Sequence, residues 1–363
     1  MFEALKGVSL KPSFNDNGVA CYSLTGGNFK NRYYVVSEKG TRRLLNQPEI
    51  VGFEVYTCLL NATTRMMRHF VHQDLISSAN ILSILRGALN YPLEESCYRE
   101  GIRIHDISFL SSERVFHNDE IAGLEIKYSK LATVPDSTLL IGDIVATGET
   151  LIHCLRYVTD NYRTHGAKLR NIILFTIGGT TGITVMERLT EEIREFWPAF
   201  EGFITVYYEG IFSTYQDKGV CGIQVPDVDF YWKDGVIAPQ FRQETLEKRD
   251  AIFEKCIIYD GGARRYEISD HVNEVLDYWY GIRERADQID KKAFLDERLG
   301  YETPISYEDW VRENHYELIS EDLCRKLYRQ EEVYLNRIQH VPLINIANKR
   351  IEEFETALAR YRV

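Results

Sequence analysis

The chain has 363 residues, 44% of them hydrophobic and 27% charged, with a formal net charge of −11. That composition suits a soluble protein with one large domain and a smaller second one, and its acidic balance excludes a global field that would draw nucleic acid or an anionic membrane. No apolar run reaches transmembrane length, and the seven scattered cysteines form no C-x-x-C pair or zinc spacing, so reduced thiols in the cytoplasm are expected.

Residues 1–45 read as β-rich, with Val19–Leu24 and Arg32–Val36 flanking the turn Gly26-Gly27-Asn28. The spacing of Val51, Val55, Leu59 and Leu60 predicts a helix over about 47–73. Ile81–Leu85 reads as a short strand, and Ile104–Leu110 with Leu124–Tyr128 as the arms of a hairpin with a polar tip. Strands are then predicted at 139–141, 172–177 and 203–208, and helices at 150–162 and 184–196. Strands interleaved with helices argue for a parallel α/β sheet, which binds ligands beyond the carboxyl ends of its strands. After about Gln240 the pattern becomes helical, at 244–256, 271–289, 307–317, 321–338 and 349–361. Two domains are therefore expected: an α/β domain over 1–240 and a helical one over 241–363.

The segment Leu139-Leu140-Ile141-Gly142-Asp143-Ile144-Val145-Ala146-Thr147-Gly148-Glu149-Thr150 concentrates the chemistry. An apolar strand ends in a carboxylate, a Thr-Gly-x-Thr turn follows, and a helix begins with Leu151, Leu155 and Val158 on one face. Such a turn offers N–H groups and hydroxyls to a phosphate. Asp143 can hold a sugar diol or, through water, magnesium. An ordinary strand–helix turn of an unrelated α/β protein is the alternative.

This segment resembles the diphosphate-sugar motif of type I phosphoribosyltransferases, in which an apolar strand carries two acidic positions before Thr-Gly-x-Thr. Ile81-Leu82-Ser83-Ile84-Leu85-Arg86-Gly87-Ala88-Leu89 resembles the family's diphosphate loop, in a form most like that of uracil phosphoribosyltransferases. Over residues 80–230 the resemblance implies a parallel α/β core with a flexible hairpin, followed here by the helical extension. It further implies that residues 146–150 (Ala146, Thr147, Gly148, Glu149, Thr150) cradle the 5-phosphate of phosphoribosyl diphosphate (PRPP), and that Asp143 faces the ribose hydroxyls. Arg86 can fork two bonds to the diphosphate, and Gly87 lets the backbone approach it. Arg114 and Lys130, on a hairpin with a Tyr-x-Lys-Leu exit, are the candidates to close over it. As solitary residues, Arg86 reads first as the cap of a surface loop, and Arg114 and Lys130 read equally as solvated charges.

The sequence departs from the family pattern in three places. Gly142 stands at the first acidic position, Glu149 stands where glycine is common, and the base-recognition segment keeps only a Gly-Ile-x-Val-Pro trace at 222–226. Asp227, Asp229, Phe230 and Tyr231 either read and stack on a base or form a loop beneath the helical region. The turn Ile177–Ile183 falls near the sugar and base, or is plain turn chemistry. The expected activity is a phosphoribosyltransferase using PRPP and Mg2+, the ion held indirectly through Asp143, to ribosylate a nitrogenous base or related acceptor with release of diphosphate. A homo-oligomer without nucleic-acid or membrane partners is expected. The alternative is a PRPP- or nucleotide-binding regulatory protein that keeps the fold without turnover.

Overall fold

A computed structural model describes residues 5–85, 87, 89–117, 120–215, 219–223, 229–248, 250–254 and 261–361. It contains a 10-stranded sheet flanked by helices. The chain enters through β1 (Ser9–Asp16), β2 (Val19–Thr25) and β3 (Arg32–Ser37), then α1 (Lys39–Asn46) and α2 (Phe53–His72). The helix expected over 47–73 is α2, which starts only at Phe53, whereas α1 was not expected and lies at the end of the stretch read as β-rich. Pro48 interrupts the backbone donors, and Gly52 turns the chain at φ +63°. Glu38 caps α1 in a reciprocal box with Thr41.

Then come β4 (Ser78–Ile84), α3 (Tyr91–Arg99), the hairpin β5 (Arg103–His117) and β6 (Glu120–Lys130), β7 (Ser137–Val145), α4 (Glu149–Thr164), β8 (Leu169–Gly179), α5 (Thr181–Phe196), β9 (Phe203–Tyr215) and β10 (Asp229–Ile237). The sheet order is β1-β2-β3-β9-β8-β7-β4-β5-β6, with β10 on β9. Strands β3, β9, β8, β7, β4 and β5 run parallel, and β1, β2, β6 and β10 are antiparallel additions. Helices cover the central strands, which accounts for their uninterrupted apolar runs: Leu140, Ile173, Phe175 and Val206 are completely buried.

Chain order fixes where a ligand can enter. From β4 the chain moves outward to β5, whereas from β7 it moves the other way through β8 to β9. The strand order therefore reverses between β4 and β7, the position at which open α/β sheets form their ligand crevice. Two ribbons extend past the parallel strands. β5–β6 continues to His117↔Glu120 after the β4 pairing stops at Leu110, and β9–β10 continues after the β3 pairing stops at Tyr208.

The C-terminal region contributes α6 (Pro239–Glu247), a 3₁₀ turn (Ala251–Phe253), α7 (Gly261–Tyr266), α8 (Ile268–Glu284), α9 (Lys291–Leu299), α10 (Tyr307–Glu313), α11 (Glu321–Ile338) and α12 (Leu343–Tyr361). The helix expected over 244–256 ends at Glu247, and residues 255–260 lie outside the described set. Long-range bonds fasten this region to the front of the chain. The Arg264 guanidinium donates to the carbonyls of Leu44, Gln47 and Ile50, His271 donates to Pro48, and the Leu10 N–H donates to the His315 carbonyl. Among the described residues no helix is long and apolar enough to cross a membrane.

One strained residue marks the change of partners in β9. Glu209 is fully buried at φ +66°, between the last β3 pair and the first β10 pair. Its carboxyl accepts from the Glu38 N–H at 2.9 Å and from the Thr41 hydroxyl. Burial pushes that carboxyl up to about 8 from an ordinary 4.5. The folded state then keeps a proton that the unfolded chain has lost, so stability falls as pH rises from about 4.5 to about 8. Glu209→Gln is expected to remove this contribution, whose slope is at most about 1.4 kcal/mol per pH unit. Denaturant midpoints measured across that window check it, and parallel curves for variant and wild type would show that Glu209 is ionised throughout.

Candidate functional site

The crevice is built by the turns that follow β4 and β7. At the end of β7, Gly142 is buried while Asp143 and Ile144 are partly exposed. The Asp143 carboxylate accepts its neighbour's N–H, Ile144 N to Asp143 Oδ1 at 2.9 Å, which holds it at the strand end. Ala146 and Thr147 are partly exposed. Gly148 adopts φ +79°, and a Cβ there would meet Val185 Cγ2 at 2.8 Å, so only glycine makes this turn without displacing α5. α4 starts at Glu149 with no side-chain cap, so its first-turn N–H groups face the turn as donors. Glu149, whose charge would oppose a phosphate, is exposed, and Thr150 is partly exposed.

The facing turn leaves β4 at Ile84. The Leu85 N–H donates to Leu110 O and the Gly87 N–H to Ile84 O, each at 2.8 Å. A Cβ on Gly87 would lie 3.5 Å from Asp143 Oδ1, so the two turns meet at the carboxylate. Sequence reasoning paired these segments through the resemblance, and their adjacency is a property of the strand order.

Arg86 lies outside the described residues, as does Asp227. Arg114 contributes backbone to β5 opposite Leu124, on the part of the hairpin beyond the sheet; nothing is described of its side chain. Lys130 is exposed on the edge strand opposite Phe109, three strand spacings from Asp143, or about 14 Å across the sheet. Cys154, on the buried face of α4, donates to Ser112 Oγ at 3.7 Å and links that helix to the root of the hairpin.

The base-recognition segment differs from expectation. Its second half is not a loop but the strand β10, begun by the backbone of Asp229. Phe230 and Tyr231 are buried, with exposures of 4% and 3%. Phe230 meets Phe212 edge-on at 5.8 Å, and the Arg298 guanidinium of α9 covers Tyr231 at 4.7 Å. The cavity beside them, about 40 Å³, is too small for a heterocycle. As packed, neither ring presents a face for stacking on a base. The sequence left this run as a stacking site or a loop; the structure places Phe230 and Tyr231 on a strand, with Tyr231 against Arg298 of α9, a helix that the sequence reading missed.

The donor set does not fit a magnesium ion held by the protein. Gly142 offers no side-chain ligand beside Asp143, and no group of three His, Cys, Asp or Glu residues forms a metal cage among the described residues.

No protein-family model matches the sequence, and no curated protein matches it. Solved structures do align with part of it. A hypoxanthine phosphoribosyltransferase from Staphylococcus aureus is 16% identical, with a TM-score of 0.26, and the match covers 33% of this chain and 64% of that one. A protein from Aquifex aeolicus is 18% identical over 48% of this chain and 86% of its own, with a TM-score of 0.33. The adenine phosphoribosyltransferase of Leishmania tarentolae is 13% identical over 48% and 91%, with a TM-score of 0.28. The chain thus spans just under two thirds of the first of these.

Proposed function

We propose that the chain binds PRPP in the β4–β7 crevice and transfers its phosphoribosyl group to a nitrogenous acceptor, releasing diphosphate. One observation carries this reading: the carboxylate of Asp143, the uncapped start of α4 and the tight turn at Gly87 converge at the point where the strand order reverses. That crevice offers an acceptor for sugar hydroxyls, oriented donors for a 5-phosphate and a close backbone approach for a diphosphate. In the reaction, an acceptor nitrogen forms a bond to C1 of the ribose as the C1–O bond to diphosphate breaks. Negative charge accumulates on the leaving group, and Arg86 and Arg114 are the cations assigned to it. Lys130 would contribute to that charge only at the hairpin's root. Magnesium belongs to the substrate, as the complex of its diphosphate.

In this reading residues 1–240 carry the chemistry and residues 241–363 brace the β9–β10 side. The described cysteines are free and buried, which fits a reducing cytoplasm. Acceptor choice between uracil-like and purine-like rings, and self-association, belong to the same proposal. A second reading, a PRPP-binding regulator without turnover, is favoured by Gly142 and by the burial of Phe230 and Tyr231. Mixing the protein with PRPP and a panel of pyrimidine and purine bases and measuring diphosphate separates the two. Release with any base establishes the transferase, whereas saturable PRPP binding with no release establishes the regulator.

A further inference from the structure

The departure at Gly142 has a steric cause. Pairing of β4 with β7 stops at Leu82↔Ile141, one residue short of Gly142. Beyond it the β4 chain folds back, and Leu89 and Asn90 lie against the β7 backbone. A Cβ at Gly142 would sit 2.5 Å from the Asn90 amide nitrogen and closer still to the Leu89 carbonyl. These are main-chain atoms at the entry to α3, so no change of side-chain rotamer opens the space. Asn90 is itself 8% exposed and pinned to β4 through Ser83 Oγ, while Leu89 is buried. The same turn carries Gly87 to Asp143.

We infer that Gly142 is a positioning residue: it admits the Leu89–Asn90 backbone against β7, and so fixes a phosphopentose site with one carboxylate, Asp143, and no protein-held divalent cation. This rests on the phosphopentose reading of the crevice. Two adjacent carboxylates beside a polyanionic sugar phosphate repel it unless a cation intervenes. A single carboxylate, already engaged by the Ile144 N–H, accepts a sugar hydroxyl directly and carries half that charge. Glu149 is not part of the β7 strand end: it is exposed and opens α4, six residues after Asp143. The ligand class is a pentose 5-phosphate, bound without a metal requirement of the protein's own.

The test is calorimetric titration of the full chain with ribose 5-phosphate and, separately, inorganic phosphate, each in magnesium and in EDTA. Amide exchange over residues 85–93 is followed in parallel. Wild type is expected to bind ribose 5-phosphate with a Kd that changes less than about twofold between the two buffers. Gly142→Ala and Gly142→Asp are expected to speed exchange over 85–93 and weaken ribose 5-phosphate at least tenfold. Inorganic phosphate, held by the turn after β7, should keep its affinity within about twofold, a split that general destabilisation would not produce. If Gly142→Asp binds ribose 5-phosphate as well as wild type or better, with exchange unchanged, the crevice has room for two carboxylates and the inference fails. A wild-type Kd that collapses in EDTA overturns it without any variant. If wild type binds neither ribose 5-phosphate nor inorganic phosphate, the phosphopentose reading itself falls, a result distinguishable because exchange at 85–93 in Gly142→Ala still reports the packing.

Discussion

Replacing Arg242 with methionine is expected to destabilise the fold by about 3–5 kcal/mol, because it leaves a buried carboxylate without its counter-charge. Arg242 of α6 and Glu331 of α11 are 1% and 2% exposed. Their N–O separation is 2.7 Å, Arg242 also donates to Tyr301 and Asn314, and its guanidinium lies 4.6 Å over the Trp232 ring. Glu331 in turn accepts from the Tyr301 hydroxyl and from Trp310 Nε1. The pair joins α6 to α11, and through Trp232 Arg242 also packs on β10, so the loss should be felt at the β9–β10 ribbon as well as globally. Whole domains are stable by only about 5–15 kcal/mol, so a change of this size is a large fraction. Denaturant unfolding of Arg242→Met beside the double variant Arg242→Met/Glu331→Leu gives the check. The double variant should recover most of the loss, since it removes the stranded charge. A single variant within about 1 kcal/mol of wild type would mean that water reaches Glu331.

The second large effect is on ligand binding. Asp143→Asn and Thr147→Ala are each expected to weaken PRPP binding by about tenfold to a hundredfold, the worth of a hydrogen bond involving a charged partner, about 1.5–3 kcal/mol. Both side chains are partly exposed at the end of β7, so neither substitution empties a core position, and the melting temperature should change little. Unchanged PRPP affinity in both would remove the crevice assignment. Loss in Asp143→Asn alone would keep the sugar contact and move the 5-phosphate elsewhere.

Much of the site's local grammar was readable from the residues. The apolar run of β7, the carboxylate at its end, the glycine at 148 and the helical face of α4 are local properties. Backbone sterics and periodicity express them within about a dozen residues. The hairpin arms and the helix α11 were readable for the same reason. Elements whose patterns are ambiguous were not. β10 carries Phe230, Tyr231 and Trp232 in succession, without the alternation that marks a strand, because its pairing to β9 is interrupted between Tyr231 and Val236. α1 was missed because its apolar pair Leu44 and Leu45 sits among Lys39, Arg42 and Arg43, and the helix expected from 47 begins only at Phe53, after Pro48 and Gly52.

By itself, then, the sequence determined an α/β chain with a Thr-Gly-x-Thr turn after one strand, a carboxylate beside it and a helical C-terminal third. Each is a short-range consequence of residue type. Tertiary structure alone decided which turns face each other, because strand order is set by long-range pairing that no local pattern encodes. It set the Gly87 turn against Asp143, gave Gly142 its reason in the Leu89–Asn90 backbone, and buried Phe230 and Tyr231 beneath a helix some sixty residues further along. It also joined Arg242 to Glu331 across 89 positions. In all of these, the deciding partner is brought close only when the chain is folded.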